Sequence, residues 1–156
     1  MEIEKILRKH SPEPENLLNI LHDLQDAHPE NYLPESCLKE VASYLNTTLA
    51  QVYGVVNYYT MFSTVPRGKY IIRVCHSPVC HMMGSRTIPG ILEQFLGTGM
   101  NETTADGLFH LEYSECLGIC SIAPAMMVGE EIHGPLTEES IEKIITGIRA
   151  RENKNR

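Results

Sequence analysis

The sequence has no apolar run that approaches the roughly 20 residues needed to span a bilayer, so we expect no membrane-inserted segment. Basic residues are in the minority, with 13 Lys and Arg against 20 Asp and Glu. The resulting net charge of −7 argues against nucleic-acid binding. The N-terminus does not resemble a signal peptide. We therefore expect a cytoplasmic protein, in a reducing compartment. If the protein meets a membrane, we expect it to do so at the cytoplasmic face of that membrane and only through partner subunits.

Motifs for catalysis are also missing. The sequence contains no phosphate-binding loop, no dinucleotide fingerprint and no nucleophile motif. We therefore expect no catalytic site on this chain alone. The 156 residues, of which 42% are hydrophobic, are sufficient for one domain, or for a small domain with an appendage.

Cysteines are few, but four of the five stand in two pairs. Each pair follows a predicted strand, over residues 69–74 and 108–113, whose β-branched and aromatic residues alternate. Four thiolates on two loops are what an iron–sulfur cluster requires. The pairs are a C-x₄-C motif, Cys75 and Cys80, and a C-x₃-C motif, Cys116 and Cys120.

The same cysteines allow other interpretations. Zinc is an alternative because four cysteines also form structural zinc sites, although zinc pairs commonly repeat one tight C-x₂-C turn. A disulfide conflicts with the expected reducing compartment, and a thioredoxin-type redox pair would need C-x-x-C, which is absent. The spacing favours an iron–sulfur cluster over zinc and leaves both open. The fifth cysteine, Cys37, is predicted to be an inert buried thiol on a helix.

The chain divides into two parts by its periodicity. Residues 13–63 predict helices over 15–27 and 34–45 and a third helix, capped by Thr47, that runs towards Phe62. The second part alternates strands and helices. Its predicted elements are strands 70–75, 108–113 and 125–128, a short returning strand that ends at Gly134, a helix over 84–96 and a last helix capped by Thr137.

The surroundings of the cysteines carry a family resemblance. Ordered landmarks are Val52-Tyr53-Gly54-Val55, Gly68-Lys69-Tyr70, Cys80-His81-Met82-Met83-Gly84, Glu115-Cys116-Leu117-Gly118-Ile119-Cys120, Ala123-Pro124-Ala125-Met126 and Gly134-Pro135-Leu136-Thr137. In these landmarks the sequence resembles the thioredoxin-like 2Fe–2S ferredoxin family over roughly residues 15–148. That family includes the small 2Fe–2S subunit of bacterial NADH dehydrogenase and its equivalents in NAD-linked and electron-bifurcating hydrogenases and in formate dehydrogenases.

The resemblance implies both a fold and a cofactor. The fold is of the α/β class, with an N-terminal helical bundle followed by a thioredoxin-like sheet-and-helix domain. We expect a helical subdomain over 1–66, a 2Fe–2S domain over 67–150 and a flexible tail over 151–156. One 2Fe–2S cluster is expected, and its implied ligands are Cys75 and Cys80 on one iron and Cys116 and Cys120 on the other.

The resemblance also implies a function and partners. The chain is expected to be a one-electron carrier subunit that exchanges electrons with FMN on a partner subunit. That partner also binds NAD(H) and iron–sulfur clusters, and further electron-transfer subunits belong to the same complex. The spacer His76-Ser77-Pro78-Val79 is closer to the respiratory type than to the hydrogenase or formate dehydrogenase type. A zinc-stabilised adaptor without redox activity is the more distant alternative.

Several residues near the cysteines have expected supporting roles. Gly84 and Gly118 would let backbone N–H groups turn towards a negatively charged cluster. His76 and His81 are expected to pack beside the cluster rather than to ligate it, since four cysteines already suffice. The expected adaptable packing around the loops comes from Met82, Met83, Met126 and Met127.

Overall fold

The computed structural model describes residues 3–154, and the chain divides after Lys69 into two compact units. The helices of the first unit are α1 Ile3–Leu7, α2 Leu17–Asp26, α3 Glu35–Tyr44 and α4 Leu49–Tyr58. The three predicted helices are confirmed as α2, α3 and α4. The short helix α1 was not predicted, because five residues carry too little periodicity to identify a helix.

The N-terminal cap of helix α4 is Thr48, one residue after the predicted cap Thr47. The hydroxyl of Thr48, not that of Thr47, accepts the hydrogen bond from the Gln51 backbone N–H, while the Gln51 side chain accepts from the Thr48 N–H. This reciprocal capping box satisfies two helix N–H groups that would otherwise lack partners. Thr47 instead donates its hydroxyl hydrogen to Gln51 Oε1 at 2.6 Å.

The first unit has its own apolar core, to which all four helices contribute. Its buried members include Ile6, Leu7, Ile20, Leu21, Leu24, Leu38, Val41, Val52, Val56 and Phe62. The buried amide of Gln25 fastens the segment after α4, because Nε2 donates to the Met61 carbonyl and Oε1 accepts from the Ser63 N–H. Phe62, which lies in this segment, is buried in the core, whereas Tyr58 at the end of α4 is 78% exposed.

The second unit is a four-stranded mixed sheet with helices. The strands are β1 Tyr70–Cys75, β2 Phe109–Ser114, β3 Met126–Val128 and β4 Glu131–His133, and the helices are α5 Pro78–Met82, α6 Ile88–Leu96 and α7 Glu138–Lys154. The strand order is β2-β1-β3-β4. Strands β1 and β2 run parallel, and the β1–β3 and β3–β4 pairs are antiparallel.

Alternate residues of the strands pack with α6 and α7 into a second core. Its buried members include Ile72, Val74, Leu92, Phe109, Leu111, Met126, Ile141, Ile145 and Ile148. These are the positions that a period of two in the strands and of 3.6 in the helices places on one face. The predicted α/β class, with helices preceding the sheet, is confirmed.

Two boundaries differ from expectation. The predicted helix 84–96 begins with a separate 3₁₀ turn over Ser85–Thr87, and α6 follows it. Residues 151–154 continue α7 rather than standing apart as a tail, and residues 155 and 156 lie outside the described residues. The assignment of residues 1–66 and 67–150 as domains stays a prediction. Within residues 3–154, no helix is both long and apolar enough to cross a membrane.

Candidate metal centre

Both cysteine loops leave the same end of the sheet. Cys75 is the last residue of β1 and lies opposite Ser114, the last residue of β2. Because the two strands are parallel, the loops that follow them begin side by side. The His76 N–H donates to the Ser114 carbonyl at 2.9 Å and extends this contact into the loops. Cys116 follows two residues after Ser114, so the fold brings the two cysteine motifs together.

The first pair is buried. Cys75 is 2% exposed and Cys80 is 1% exposed. The spacer between them, expected to be a loop, forms the short helix α5, in which Pro78 occupies the first turn. This helix brings Cys80 back towards the end of β1, where the Cys75 and Cys80 thiols are close enough to shift each other's pKa, lowering that of Cys75 and raising that of Cys80.

Ser77 contacts both thiols of the first pair, a role that sequence reasoning missed. Its hydroxyl accepts a hydrogen bond from the Cys75 thiol at 3.4 Å, and its interaction with Cys80 acts to lower the pKa of that thiol. Ser77 occupies the N-cap position of α5, yet its side chain makes no cap hydrogen bond. A serine directly before a proline signals a helix start. This sequence signal does not show that the Ser77 hydroxyl contacts cysteine sulfurs instead of capping the helix.

The second pair is exposed. Both Cys116 and Cys120 are solvent-accessible, and Cys120 begins a 3₁₀ turn over Cys120–Ile122. The Cys120 thiol lies close enough to Cys116 for their interaction to raise the pKa of Cys120. Gly118 adopts a φ of 75°, which L side chains rarely adopt, and its N–H donates to the Cys116 sulfur at 3.4 Å. The Gly118 N–H thus points at a cysteine sulfur, and its expected role towards a cluster stays a prediction.

A backbone contact joins the two pairs. Leu117, from the second loop, lies close enough to the buried Cys75 of the first loop for its backbone to lower the pKa of the Cys75 thiol. Cys75, Cys80 and Ala123 form a small buried cluster against which Leu117 packs. The four sulfurs are thus two adjoining pairs, one covered by apolar groups and one open to solvent.

Burial and hydrogen bonding act differently on the individual thiols. Burial would raise the pKa of Cys75, but hydrogen bonds from Ser77 and the Leu117 N–H outweigh it and lower that pKa. Burial raises the pKa of Cys80, and the hydrogen bond it donates to Cys75 raises it further. The pKa of Cys120 is raised by desolvation and by the hydrogen bond it donates to Cys116.

The donor set fits a binuclear iron–sulfur cluster. In the part of the chain that the structure describes, no three Cys, His, Asp or Glu side chains converge to hold one metal ion. The thiols form two pairs instead, and a 2Fe–2S cluster takes one pair on each iron. Backbone N–H groups of Leu117 and Gly118 already point at sulfur, which is the arrangement that stabilises an anionic cluster.

The structure also places the other residues that were expected to support the cluster. The rings of His76 and His81 contact each other edge to face, with 4.3 Å between centroids. Gly84 has the left-handed φ of 99°, but its N–H donates to the His81 carbonyl and not to a cysteine. Met82 is 87% exposed and therefore does not pack around the loop.

The remaining methionines also differ in their surroundings. Met83 is exposed like Met82, Met126 is fully buried in the core of the second unit, and Met127 is half-buried. Only Met126 behaves as core packing. Cys37 is buried on α3 as predicted, and burial raises the pKa of its thiol. A neutral buried thiol of this kind is unreactive.

Comparison with known proteins identifies the family of the chain. A family model described as thioredoxin-like [2Fe-2S] ferredoxin matches residues 3–149. The NADP-reducing hydrogenase subunit HndA of Solidesulfovibrio fructosivorans is 37% identical over 83% of this chain and 75% of its own length. An NADH-quinone oxidoreductase subunit of Aquifex aeolicus is 38% identical over 83% of this chain and 80% of its own.

A solved structure shares the fold. The crystal structure of an NAD⁺-reducing [NiFe]-hydrogenase in the air-oxidized state superimposes with a TM-score of 0.77 over 87% of this chain, at 21% identity. The match covers only 23% of that hydrogenase chain. The expected thioredoxin-like fold, with helices before the sheet, is therefore confirmed.

Proposed function

We propose that this chain, which belongs to the thioredoxin-like [2Fe-2S] ferredoxin family and holds one 2Fe–2S cluster, is an electron-carrier subunit of an NAD(P)H-dependent flavin oxidoreductase. In that complex the chain exchanges single electrons with FMN on a partner subunit, which also binds NAD(H) and further iron–sulfur clusters. The observation that supports this most directly is the set of four thiols, joined as two pairs at one end of the sheet.

The proposed ligands follow the two pairs. Cys75 and Cys80 hold one iron, and Cys116 and Cys120 hold the other. A cluster with four thiolate ligands supplies one-electron chemistry at low potential, roughly −400 mV in all-cysteine plant-type centres. The surrounding groups of this chain adjust that value. The Gly118 N–H donates to the Cys116 sulfur, and the interactions of Cys75 with Ser77 and with the Leu117 backbone lower the pKa of the Cys75 thiol, so that both favour negative charge on sulfur.

The two cysteine pairs differ in how far solvent reaches them. Ala123 and Leu117 cover Cys75 and Cys80 and exclude water from that side of the site. The second pair stays open to solvent. Electrons are therefore proposed to enter and leave on the side of Cys116 and Cys120, where a partner can approach the sulfurs without displacing the core.

The proposed complex is most like a respiratory NADH dehydrogenase, and a hydrogenase is the second candidate. The respiratory assignment is supported by the 38% identity to the Aquifex aeolicus NADH-quinone oxidoreductase subunit and by the spacer His76-Ser77-Pro78-Val79. The hydrogenase candidate is supported by the nearly equal 37% identity to a NADP-reducing hydrogenase subunit. Either complex places the chain in the cytoplasm, or at the cytoplasmic face of the membrane through its partners.

The test is made on the assembled complex. The tagged chain is isolated anaerobically from its own cells, FMN is quantified per chain, and NADH is added together with a system that removes NAD⁺. We expect about one FMN per chain and a reduced 2Fe–2S EPR signal after NADH addition. A Cys120→Ser chain in the same complex identifies which signal belongs to this subunit. A complex without flavin, or a signal that responds to dithionite but never to NADH, would contradict the proposal.

A further inference from the structure

The first unit contributes nothing to the cysteine site described above. None of the four cysteines of the proposed cluster lies in residues 3–69, and this unit has an apolar core of its own. The family model nevertheless spans residues 3–149, so the first unit belongs to the family and is not a foreign appendage. It also carries the landmark Val52-Tyr53-Gly54-Val55, which the cluster does not explain. A task for the first unit therefore has to come from its own surface.

The middle of the first unit is free of charge. Residues 41–66 contain no Asp, Glu, Lys, Arg or His, in a chain of which 21% is charged, and helix α4 lies wholly within this stretch. The preceding helix α3 has the usual outer face, on which exposed Glu35 and Lys39 form an ion pair at 2.7 Å. Helix faces that stay in water normally carry charged residues, whereas charge is depleted at the centre of protein interfaces. The outer face of α4 therefore has the composition of an interface.

The uncharged residues of α4 also form one continuous exposed face. Val52 and Val56 are buried in the core of the first unit. On the opposite side of the helix, the exposed residues Ala50, Gly54 and Tyr58 recur at every fourth position. We call the side chains of these three residues, with the backbone between them, the α4 face.

Tyr58 has the properties of an interface anchor. It is 78% exposed and ends α4. Its ring packs edge to face on that of Tyr59, with 5.1 Å between centroids, and Tyr59 contacts the buried ring of Phe62 in the same manner at 6.4 Å. The exposed ring is thus held in place before any partner binds, which reduces the entropy lost on binding. Tyrosine offers a large apolar area and is enriched among the residues that dominate binding energy.

Gly54 supplies a second observation. Glycine is a poor helix former, yet a Cβ at this position would meet nothing within 4 Å, so the packing of this chain does not require glycine. A bare backbone on an exposed helix face allows another protein to approach closely. Gly147 on α7 is equally unobstructed, but its neighbours on that helix include the exposed charged residues Lys143 and Arg151. The two glycines therefore differ in the surface around them.

We propose that the α4 face is the docking surface for the flavin-binding partner subunit, which packs an uncharged surface of its own against Gly54 and Tyr58. This inference rests on the proposed function. A second copy of the chain fits less well as the occupant, because each copy carries a net charge of −7 and two copies repel each other. An uncharged aromatic surface also suits a permanent subunit, since transient partners use complementary charge to steer each encounter. The first unit then provides attachment, and the second unit provides the cysteine site.

The first experiment compares tagged chains isolated anaerobically from their own cells, with FMN per chain as the measure of the bound partner. In Tyr58→Lys, FMN should fall from about one per chain to about one tenth or less, because a charge replaces an aromatic anchor. The variant is compatible with the fold, since Tyr58 is exposed and a positive charge is favourable at a helix C-terminus. The matched control, Ser43→Lys, places the same charge at an exposed position near the end of α3 and should keep the FMN of the parent.

A second variant, Gly54→Gln, separates docking from folding. Glutamine is a better helix former than glycine, so the full chain purified alone should unfold at a temperature about 1–4 °C above that of the parent. The same variant should lose FMN in the complex, because its side chain prevents close approach of the partner. Gly147→Gln is the control, and it should gain similar thermal stability while keeping FMN. Higher stability combined with a lost partner is a result that a purely structural role of Gly54 would not give.

The outcomes distinguish this inference from the function on which it rests. A parent chain isolated without FMN would contradict the proposed function and this inference with it. FMN present in the parent and retained in both Tyr58→Lys and Gly54→Gln would overturn the docking surface alone. Each variant should keep two irons per chain, since none changes a cysteine of the proposed cluster. Loss of iron together with FMN would trace the effect to folding and would also overturn the docking surface.

Sedimentation of the purified parent chain tests the choice of occupant. We expect a monomer, because the α4 face is proposed to bind a different subunit. A dimer that Tyr58→Lys dissociates, and that Ser43→Lys leaves intact, would assign the α4 face to a second copy of this chain and refute the flavin-binding partner as its occupant.

Discussion

The two cysteine pairs sit at the same end of the sheet and differ in how the protein holds them. Cys75 ends a central strand and Cys80 lies on a helix, and both are buried. Cys116 and Cys120 lie on an exposed loop whose hydrogen bonds are mostly local, such as the Ile122 N–H to the Ile119 carbonyl. Secondary structure therefore fixes the first pair, whereas the second depends on turn geometry.

This difference meets two separate requirements of one site, which are protection from water and access for a partner. A buried pair with a serine hydroxyl and a backbone N–H on its sulfur is shielded from water and held in place. An exposed pair gives access from outside. A small electron carrier needs both, since its cluster must survive in water and also meet a partner. Three predictions test the contrast, beginning with the largest expected effect, and a fourth concerns a site away from both pairs.

The largest effect should follow the loss of one cysteine from either pair. We expect Cys80→Ser and Cys120→Ser each to reduce iron from two per chain towards zero, since each removes one ligand. The pairs should then differ in folding. Cys80→Ser buries a hydroxyl and should destabilise the cluster-free chain by about 1–3 kcal/mol, whereas Cys120→Ser at an exposed site should cost about 0.5 kcal/mol or less. Iron analysis and urea unfolding measure the two effects.

Cys37→Ser is the matched control for those variants. Its thiol is as buried as that of Cys80, but it lies on α3 in the first unit. The variant should lose stability and retain two irons per chain. Loss of iron from Cys37→Ser, or full iron content in Cys80→Ser, would contradict the proposed ligand set.

The second effect concerns the support of the exposed loop. A Cβ on Gly134 would lie too close to the Ile122 carbonyl oxygen, at 2.2 Å, and this backbone atom cannot move aside alone. Gly134→Ala should therefore push the turn that carries Cys120 and destabilise the chain by about 3 kcal/mol. This destabilisation would be measured as a lower thermal midpoint of unfolding, and the displaced turn as faster release of iron to a chelator.

Gly147→Ala is the corresponding control on α7, where a Cβ would meet nothing within 4 Å. It should leave iron release unchanged and stabilise the helix by about 0.5–1 kcal/mol. Similar iron-release rates in the two alanine variants would mean that the close contact between Gly134 and Ile122 does not support the loop.

The third effect is the chemical accessibility of the two pairs. After iron is removed anaerobically, Cys116 and Cys120 should react with iodoacetamide faster than Cys75 and Cys80, by roughly tenfold or more. The reason is that solvent reaches only the second pair. Mass spectrometry of peptides from a time course gives each rate, and buried Cys37 is the internal reference. Equal rates for all four thiols would remove the distinction between the pairs.

The smallest effect lies at the opposite end of β2, away from both pairs. The Asp106 carboxylate accepts hydrogen bonds from the Thr104 hydroxyl and the Leu108 N–H, and these, with the charge of Arg149, lower its pKa. Asp106→Asn should cost about 0.5–1 kcal/mol near neutral pH, a value reduced by solvent screening because the carboxylate is exposed.

The pH dependence of that effect has a definite sign. A carboxyl with a lowered folded-state pKa stabilises the fold above its unfolded pKa of about 3.9 and loses this contribution as the pH falls through the folded value. The thermal midpoints of parent and variant should therefore converge in acid, with two irons per chain in both at neutral pH. A difference that grows towards low pH would contradict this assignment.

The sequence was sufficient for the regular elements of the chain. Helix α3 and strands β1 and β2 lie within a residue or two of their predicted bounds, because amphipathic stripes and alternating strands leave direct signals. The short helix α5 was missed. The five residues between Ser77 and Met83 carry no periodicity, and a proline at the start of such a segment is equally typical of a loop.

The site itself was only partly predictable. Spacing identified the four cysteines, but their different burial follows from which strand end and which turn carry them, and that depends on the β1–β2 pairing. The contact of Leu117 with Cys75 was missed for the same reason, since it forms only where the two loops meet. The contact of Ser77 with Cys75 is local, but it depends on the Ser77 hydroxyl not capping α5, which the sequence does not show. Met82 is exposed rather than packed, because a hydrophobic residue on a five-residue helix has no fixed inner face.

The central claim, that these four thiols hold one redox-active 2Fe–2S cluster, is tested most directly by anaerobic spectroscopy of the purified chain. Absorption and EPR spectra are recorded before and after dithionite, together with iron and sulfide analysis, for the parent chain and for Cys120→Ser. The account predicts visible charge-transfer bands, a rhombic signal on reduction and two irons per chain, all lost in the variant. A colourless protein with one zinc per chain that resists reconstitution would contradict it.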